Sequence, residues 1–136
     1  MNKLSNQELI NFVSEKIIEQ GNPSINPDTG YCMYSFNGKC CAAGHLLSEE
    51  DKQIIHEELG CQDEYNESIF DKYVEDTSFL RLLQSCHDNA AVHIVYEQGN
   101  TKKTFFTGEE FITRFKQGIH LICRDKNLEV PDCIGA

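Results

Sequence analysis

The chain reads as a mainly α domain of the α+β kind, about four to five helices with one small β-hairpin near residues 31–42. Three observations predict it. Capping residues stand ahead of apolar residues at helical spacing in several places. Asn37-Gly38 lies between an aromatic-rich run and a short return segment. Finally, 136 residues, 40% of them hydrophobic, run without internal repeat or linker. Residues 1–136 are therefore expected to be one domain around one core.

Ser5-Asn-Gln-Glu8 is a capping box, and Leu9, Phe12, Val13 and Ile17 follow on one helical face, widened by Ile10 and Ile18. Gly21 and Pro23 stop this helix, which is expected over Asn6 to Gln20. Asn22 to Gly30 holds two prolines and reads as loop. Tyr31 to Phe36 is expected as a strand that turns at Asn37-Gly38 and returns through Lys39 to about Ala42. A type I′ turn needs positive φ at both central residues, which favours that dipeptide. Ser48-Glu-Glu-Asp51 starts a further helix with a thin stripe of Ile54, Ile55 and Leu59, ended by Gly60. Ile69, Phe70, Tyr73 and Val74 suggest a short one. Phe79, Leu80, Leu82, Leu83 and Cys86 make the most apolar helix, read through Ala91. Residues 92–106 stay open between helix, loop and a strand pair turning at Gly99-Asn100. A third capping box, Thr107-Gly-Glu-Glu110, opens a long last helix with Phe111, Phe115 and Ile122 buried, ended at Asn127.

No apolar run approaches a membrane span, and the N-terminus lacks a signal-peptide pattern, so a cytoplasmic protein with no membrane partner is expected. Seven cysteines, an odd number, then read as reduced thiols, some available to a metal, rather than a disulfide framework. The net charge of −10 is uneven: Glu49 to Asp76 holds eleven acids against Lys52 and Lys72. That field disfavours direct nucleic-acid binding and suits a protein partner with a basic surface, with Glu57, Glu58, Asp63 and Glu64 as candidate contacts. A merely solvated surface would carry the same charges.

Chemistry concentrates in Tyr31–His45 and in Leu82–Asn89. Cys32 and Cys41 flank the Asn-Gly turn, His45 follows four residues after Cys41, and His87 comes from the apolar helix. Cys32, Cys41, His45 and His87 could hold zinc, with Asp88 or a backbone carbonyl orienting an imidazole. Alternatively, Cys41 at the start of a helical turn could be a nucleophile of lowered pKa, with His87 as base and Asp88 nearby. Neighbouring helical residues point about 100° apart, so Asp88 is not expected to orient the His87 ring. Packing is the third possibility: buried thiols and a hydrogen-bonded histidine with no metal. Cys86 and Cys123 read as core, and Cys61 and Cys133 as incidental loop residues.

These stretches resemble a family of small uncharacterised phage and bacterial proteins. The resemblance is carried by Cys32-Met-Tyr34, Asn37-Gly38, Cys41-Ala-Ala-Gly44 with His45-Leu-Leu47, and Leu83-Gln84 with His87-Asp88; Gln20-Gly-Asn-Pro-Ser24 also fits. Cys40 stands where the pattern has Lys, and Ser48-Glu49 where it often has Pro-Asp. The resemblance implies a phage or mobile-element setting and no particular activity. The leading expectation is an acidic interaction protein of the bacterial host cytosol that binds and inhibits a host protein, such as a nucleic-acid-guided defence nuclease. A Cys41/His87 hydrolase or transferase and a zinc-stabilised module are the alternatives.

Overall fold

A computed structural model describes residues 2–135. In chain order the elements are α1 (Asn6–Gln20), β1 (Ile25–Asn26), β2 (Tyr31–Cys32), β3 (Ser35–Phe36), β4 (Lys39–Cys40), a 3₁₀ turn (Gly44–Leu46), α2 (Glu49–Ile54), α3 (Glu64–Phe70), α4 (Thr77–Ala91), β5 (Val92–Glu97), β6 (Asn100–Phe105) and α5 (Gly108–Lys126). The fold is α+β, as the capping pattern predicts, with five α-helices and three two-stranded antiparallel sheets among the described residues.

α1 is bounded as its sequence dictates. The Ser5 hydroxyl accepts from Glu8 N–H, and the Glu8 carboxylate accepts from Ser5 N–H. Gly21 closes the helix at φ 79°. α4 is capped by Asp76, which accepts from the Ser78 and Phe79 N–H groups. α5 ends at Asn127 in the left-handed region, but Thr107 makes no side-chain capping bond.

α4 packs against α5 and α1. Leu9, Ile10, Val13 and Ile17 of α1, Leu80 and Leu83 of α4, and Phe111, Phe115 and Ile119 of α5 are fully buried in one continuous core. Each such side chain contributes about 1.5–3 kcal/mol on burial.

Several expectations are corrected. The run from Tyr31 to Phe36 is two strands: Tyr31–Cys32 pairs with Ile25–Asn26, and only Ser35–Phe36 pairs with Lys39–Cys40. Cys32 therefore lies outside the Asn37-Gly38 hairpin, whose turn residues do take positive φ (49° and 77°). α2 stops at Ile54, so Ile54 and Leu59 are exposed rather than a buried stripe. The next helix starts earlier than its apolar residues suggest, because Asp63 caps it; Val74 instead bridges to Leu4. Residues 92–105 form a hairpin turning at Gln98-Gly99, one residue before the expected dipeptide.

Candidate functional site

The last turns of α4 place Gln84, His87 and Asp88 beside three other segments. The Gln84 amide oxygen accepts from Ala43 N–H at 2.9 Å, and its nitrogen donates to Asp88 Oδ1 at 2.8 Å. His87 is fully buried, edge-on to Phe111. Its Nε2 accepts from Ser24 N–H at 3.3 Å, and its Nδ1 lies 2.9 Å from Asp88 Oδ1. An accepting Nε2 places the ring proton on Nδ1, where it is donated to the carboxylate. Asp88 thus does orient the ring, against the expectation from Cβ directions. Nδ1 sits close to the helix, and a short carboxylate reaches it.

Cys32 completes the cluster. Its sulfur, a ring nitrogen of His87 and a carboxylate oxygen of Asp88 lie within 4.8 Å of one another. These three residues form a group able to hold a metal ion; Cys41 and His45 do not belong to it. Burial, then the Asp88 carboxylate, pushes the Cys32 thiol up, so it is protonated at neutral pH.

Cys41 lies at the head of the 3₁₀ turn, where its sulfur accepts from Gly44 N–H at 3.4 Å. Burial outweighs that donor and holds the thiol well above its ordinary range, opposite to the lowered value expected at a helix start. A single 3₁₀ turn has little dipole to set against full burial. Gly44 is needed here: a Cβ would run into the Tyr34 carbonyl oxygen, so any side chain would push the turn off the backbone that leads into β3. His45 lies apart, its Nε2 buried without a partner among the described residues. Burial, then His87, Lys16 and Lys52, lowers its pKa to about 4.

The cluster opens onto a cleft of about 1140 Å³ between the first two hairpins, the 57–62 loop, β5–β6 and α4. Cys32, Cys41, Cys61, Arg81, Gln84 and Asp88 are among its walls. Cys61, incidental by its sequence setting, is buried, and its thiol is pushed up to about 11 by that burial. Glu57 spans one wall, its two oxygens accepting from Tyr34 N–H (2.7 Å) and Ser35 N–H (3.1 Å). This anchors the β3–β4 hairpin.

The four candidate partner contacts separate accordingly. Glu57 is bound to backbone, and Asp63 caps α3 by accepting from Asn66 N–H. Glu58 and Glu64 are exposed and make no hydrogen bond or ion pair among the described residues. In the same segment Ile54, Leu59 and Tyr65 are 40–49% exposed. Tyr65 stacks on His56 at 4.3 Å. Asn66, which sequence reading missed, is fully buried and ties this loop: Oδ1 accepts from His56 N–H, and Nδ2 faces the carbonyls of His56, Leu59 and Gly60. An asparagine three residues into a capped helix carries no signal of that role.

No protein-family model, no curated protein and no solved structure matches the chain. Among the described residues, no helix is long and apolar enough to cross a membrane.

Proposed function

We propose that the protein acts by binding another protein through the surface of Glu49–Asp76, in the cytosol of a bacterial host, as an inhibitor of phage or mobile-element origin. The observation that carries this reading is that three large apolar side chains, Ile54, Leu59 and Tyr65, are exposed in the same segment as the unpaired carboxylates of Glu58 and Glu64. Exposed apolar side chains give a partner contact area, and the acids among them select a basic partner and speed encounter. A basic nucleic-acid groove, such as that of a guided defence nuclease, has the complementary charge. The test is co-purification from host cells with the wild type and with Glu58→Lys/Glu64→Lys. One partner recovered at low salt, weakened by the double reversal and by added salt, supports the reading. A partner held equally by both proteins contradicts it.

A second reading, a zinc-holding module, is supported by the mutual distances of Cys32, His87 and Asp88. Loading through His87 Nδ1 would move the ring proton to Nε2 and break the Ser24 bond, and Cys32 would lose its proton. Metal analysis of untagged protein purified under reducing conditions tests it. Zinc stoichiometric with the chain, and Cys32 protected until a chelator is added, is the supporting result. The same sample tests a Cys41 nucleophile. Alkylation of Cys41 faster than of Cys40 at neutral pH would favour catalysis; the raised Cys41 pKa predicts the reverse order.

A further inference from the structure

We propose that β5 pairs through its free edge with β5 of a second copy of this chain, antiparallel about a two-fold axis at Val95, so that two hairpins become one four-stranded sheet. The inference is independent of the readings above and uses none of the acids of Glu49–Asp76.

The β5–β6 hairpin is an incomplete sheet. Its two six-residue strands pair only with each other. Among the described residues, no backbone hydrogen bond beyond that ladder involves residues 93–105. A two-stranded hairpin is marginal by itself and gains stability from further strands or a packed face. One of its faces carries Val92, Ile94 and Tyr96 together with Phe105, and Tyr96 is 78% exposed.

The register fixes which backbone groups are free. Just before β5 and just after β6, Phe106 N–H donates to the Ala91 carbonyl at 2.8 Å. Bonded and non-bonded pairs alternate along an antiparallel ladder, so His93, Val95 and Glu97 turn their backbone groups to β6. Ile94 and Tyr96 turn theirs outwards, to an edge without a partner, while Val92 N–H is taken by the Asp88 carbonyl. The two edges of the hairpin differ. β6 carries Lys102 and Lys103, side chains that discourage pairing at an edge, whereas β5 reads Val-His-Ile-Val-Tyr-Glu with neither Lys nor Pro.

A second copy fits because β5 is complementary to itself about Val95. A two-fold axis there sets Ile94 opposite Tyr96 of the other copy and His93 opposite Glu97, each pair occurring twice. The Ile94–Tyr96 pairs use the free N–H and C=O groups and place a β-branched side chain beside an aromatic ring on the apolar face. In the His93–Glu97 pairs an imidazole N–H meets a carboxylate on the opposite face. Moving the axis to Ile94 would set Tyr96 against Val92, and moving it to Tyr96 would set Glu97 against Val95. Of the other charged groups nearby, Lys102 and Lys103 are one strand removed from the axis, and Glu57 and Glu58 belong to the 57–62 wall of the cleft that Ile94 also lines. No like charges face each other across the pair, and a two-fold contact of this kind closes at two copies.

The experiment measures the mass of the full chain in reducing buffer by sedimentation equilibrium over a range of concentrations. The expected result is twice the chain mass, falling to one chain on dilution. Val95→Lys brings two ammonium groups to the axis, with Lys102 of each copy beside them. Ile94→Pro removes an outward N–H and leaves the β5–β6 ladder its bonds. Both variants should be monomeric at every concentration, and Val95→Thr should remain dimeric. Circular dichroism of each separates a lost interface from a lost fold. Diamide crosslinking tests the axis, because Val95 meets itself there as a non-bonded pair, with Cα atoms about 4.5 Å apart and within reach of a disulfide. Val95→Cys should crosslink between copies and His93→Cys should not, with peptide mapping to set aside bonds among the native thiols.

A wild type that stays monomeric throughout overturns the proposal, as does a dimer that survives Val95→Lys and Ile94→Pro in folded protein. Species larger than the dimer would mean an open contact, and mass gained only with another protein would mean a different occupant; either result overturns it too. Crosslinking of His93→Cys in place of Val95→Cys overturns the axis at Val95.

Discussion

Two polar regions of this molecule use their side chains on opposite terms. On α4, the groups of Gln84, His87 and Asp88 are engaged, two of them with backbone N–H groups of distant segments, Ala43 and Ser24. In Glu49–Asp76 the carboxylates divide. Asp51, Glu57, Asp63 and Asp76 hold backbone or side-chain donors, while Glu50, Glu58 and Glu64 make no bond among the described residues. A negative balance over a segment thus does not by itself mark a binding surface. Much of what looks like a charged patch is capping and anchoring, and the part available to a partner is what remains after those bonds are assigned.

The sharpest way to break the comparison is at the turn that Gln84 holds. Gly44→Ala would drive a methyl into the Tyr34 carbonyl. It should lower stability by roughly 3 kcal/mol in urea denaturation, with the loss in the midpoint. Glu57→Gln tests whether an acid of the charged segment is an anchor. The amide keeps one acceptor and loses the charge-assisted pair to Tyr34 and Ser35. By the same measurement it should cost about 1–2 kcal/mol. No change would return Glu57 to the set of free contacts.

Acid gives a smaller and graded effect. The folded pKa of His45, about 4, lies below its ordinary 6.5, so its contribution is whole above pH 6.5 and is lost as pH falls from there through 4. Asp51 is lowered by the Tyr73 hydroxyl and Lys72, so its contribution is lost in turn below its ordinary 3.8. Melting temperature should therefore fall steadily from pH 7 to pH 4, and His45→Gln should flatten the upper part of that slope. At the small end, Glu58→Lys and Glu64→Lys are expected to change stability by no more than about 0.5 kcal/mol, because neither carboxylate holds anything among the described residues.

The helices were legible where capping and apolar period agree, as in Ser5–Gln20 and in the fifteen residues of α4. They were less so in 49–76, where the cap sets the start of α3 at Asp63 and the apolar residues beyond Phe70 belong to a turn and a bridge to Leu4. The Asn37-Gly38 hairpin was visible in its turn chemistry. The β1–β2 pair was not, since two-residue strands carry no period; the β5–β6 pair stood as one of three options for 92–106, because Gln98-Gly99 is a weak turn signal. Of the site, Cys32, His87 and Asp88 could be picked out as chemistry-bearing residues, but their meeting depends on the β1–β2 turn, which brings Cys32 to α4. The raised thiol pKa of Cys41 was hidden for the same reason, because burial is decided by the tertiary fold.

The central claim is that the α4 cluster holds the fold together around the cleft, while the free acids of the charged segment are spare for a partner. Urea denaturation of His87→Leu beside Glu58→Lys/Glu64→Lys tests it most directly. The substitution at His87 leaves Ser24 N–H without its acceptor and takes from the Asp88 carboxylate one of its two donors, the other being Gln84. The account predicts a loss of about 2–3 kcal/mol for His87→Leu, and near-wild-type stability for the double reversal. A His87→Leu protein as stable as the wild type, or a double reversal that unfolds, would contradict it.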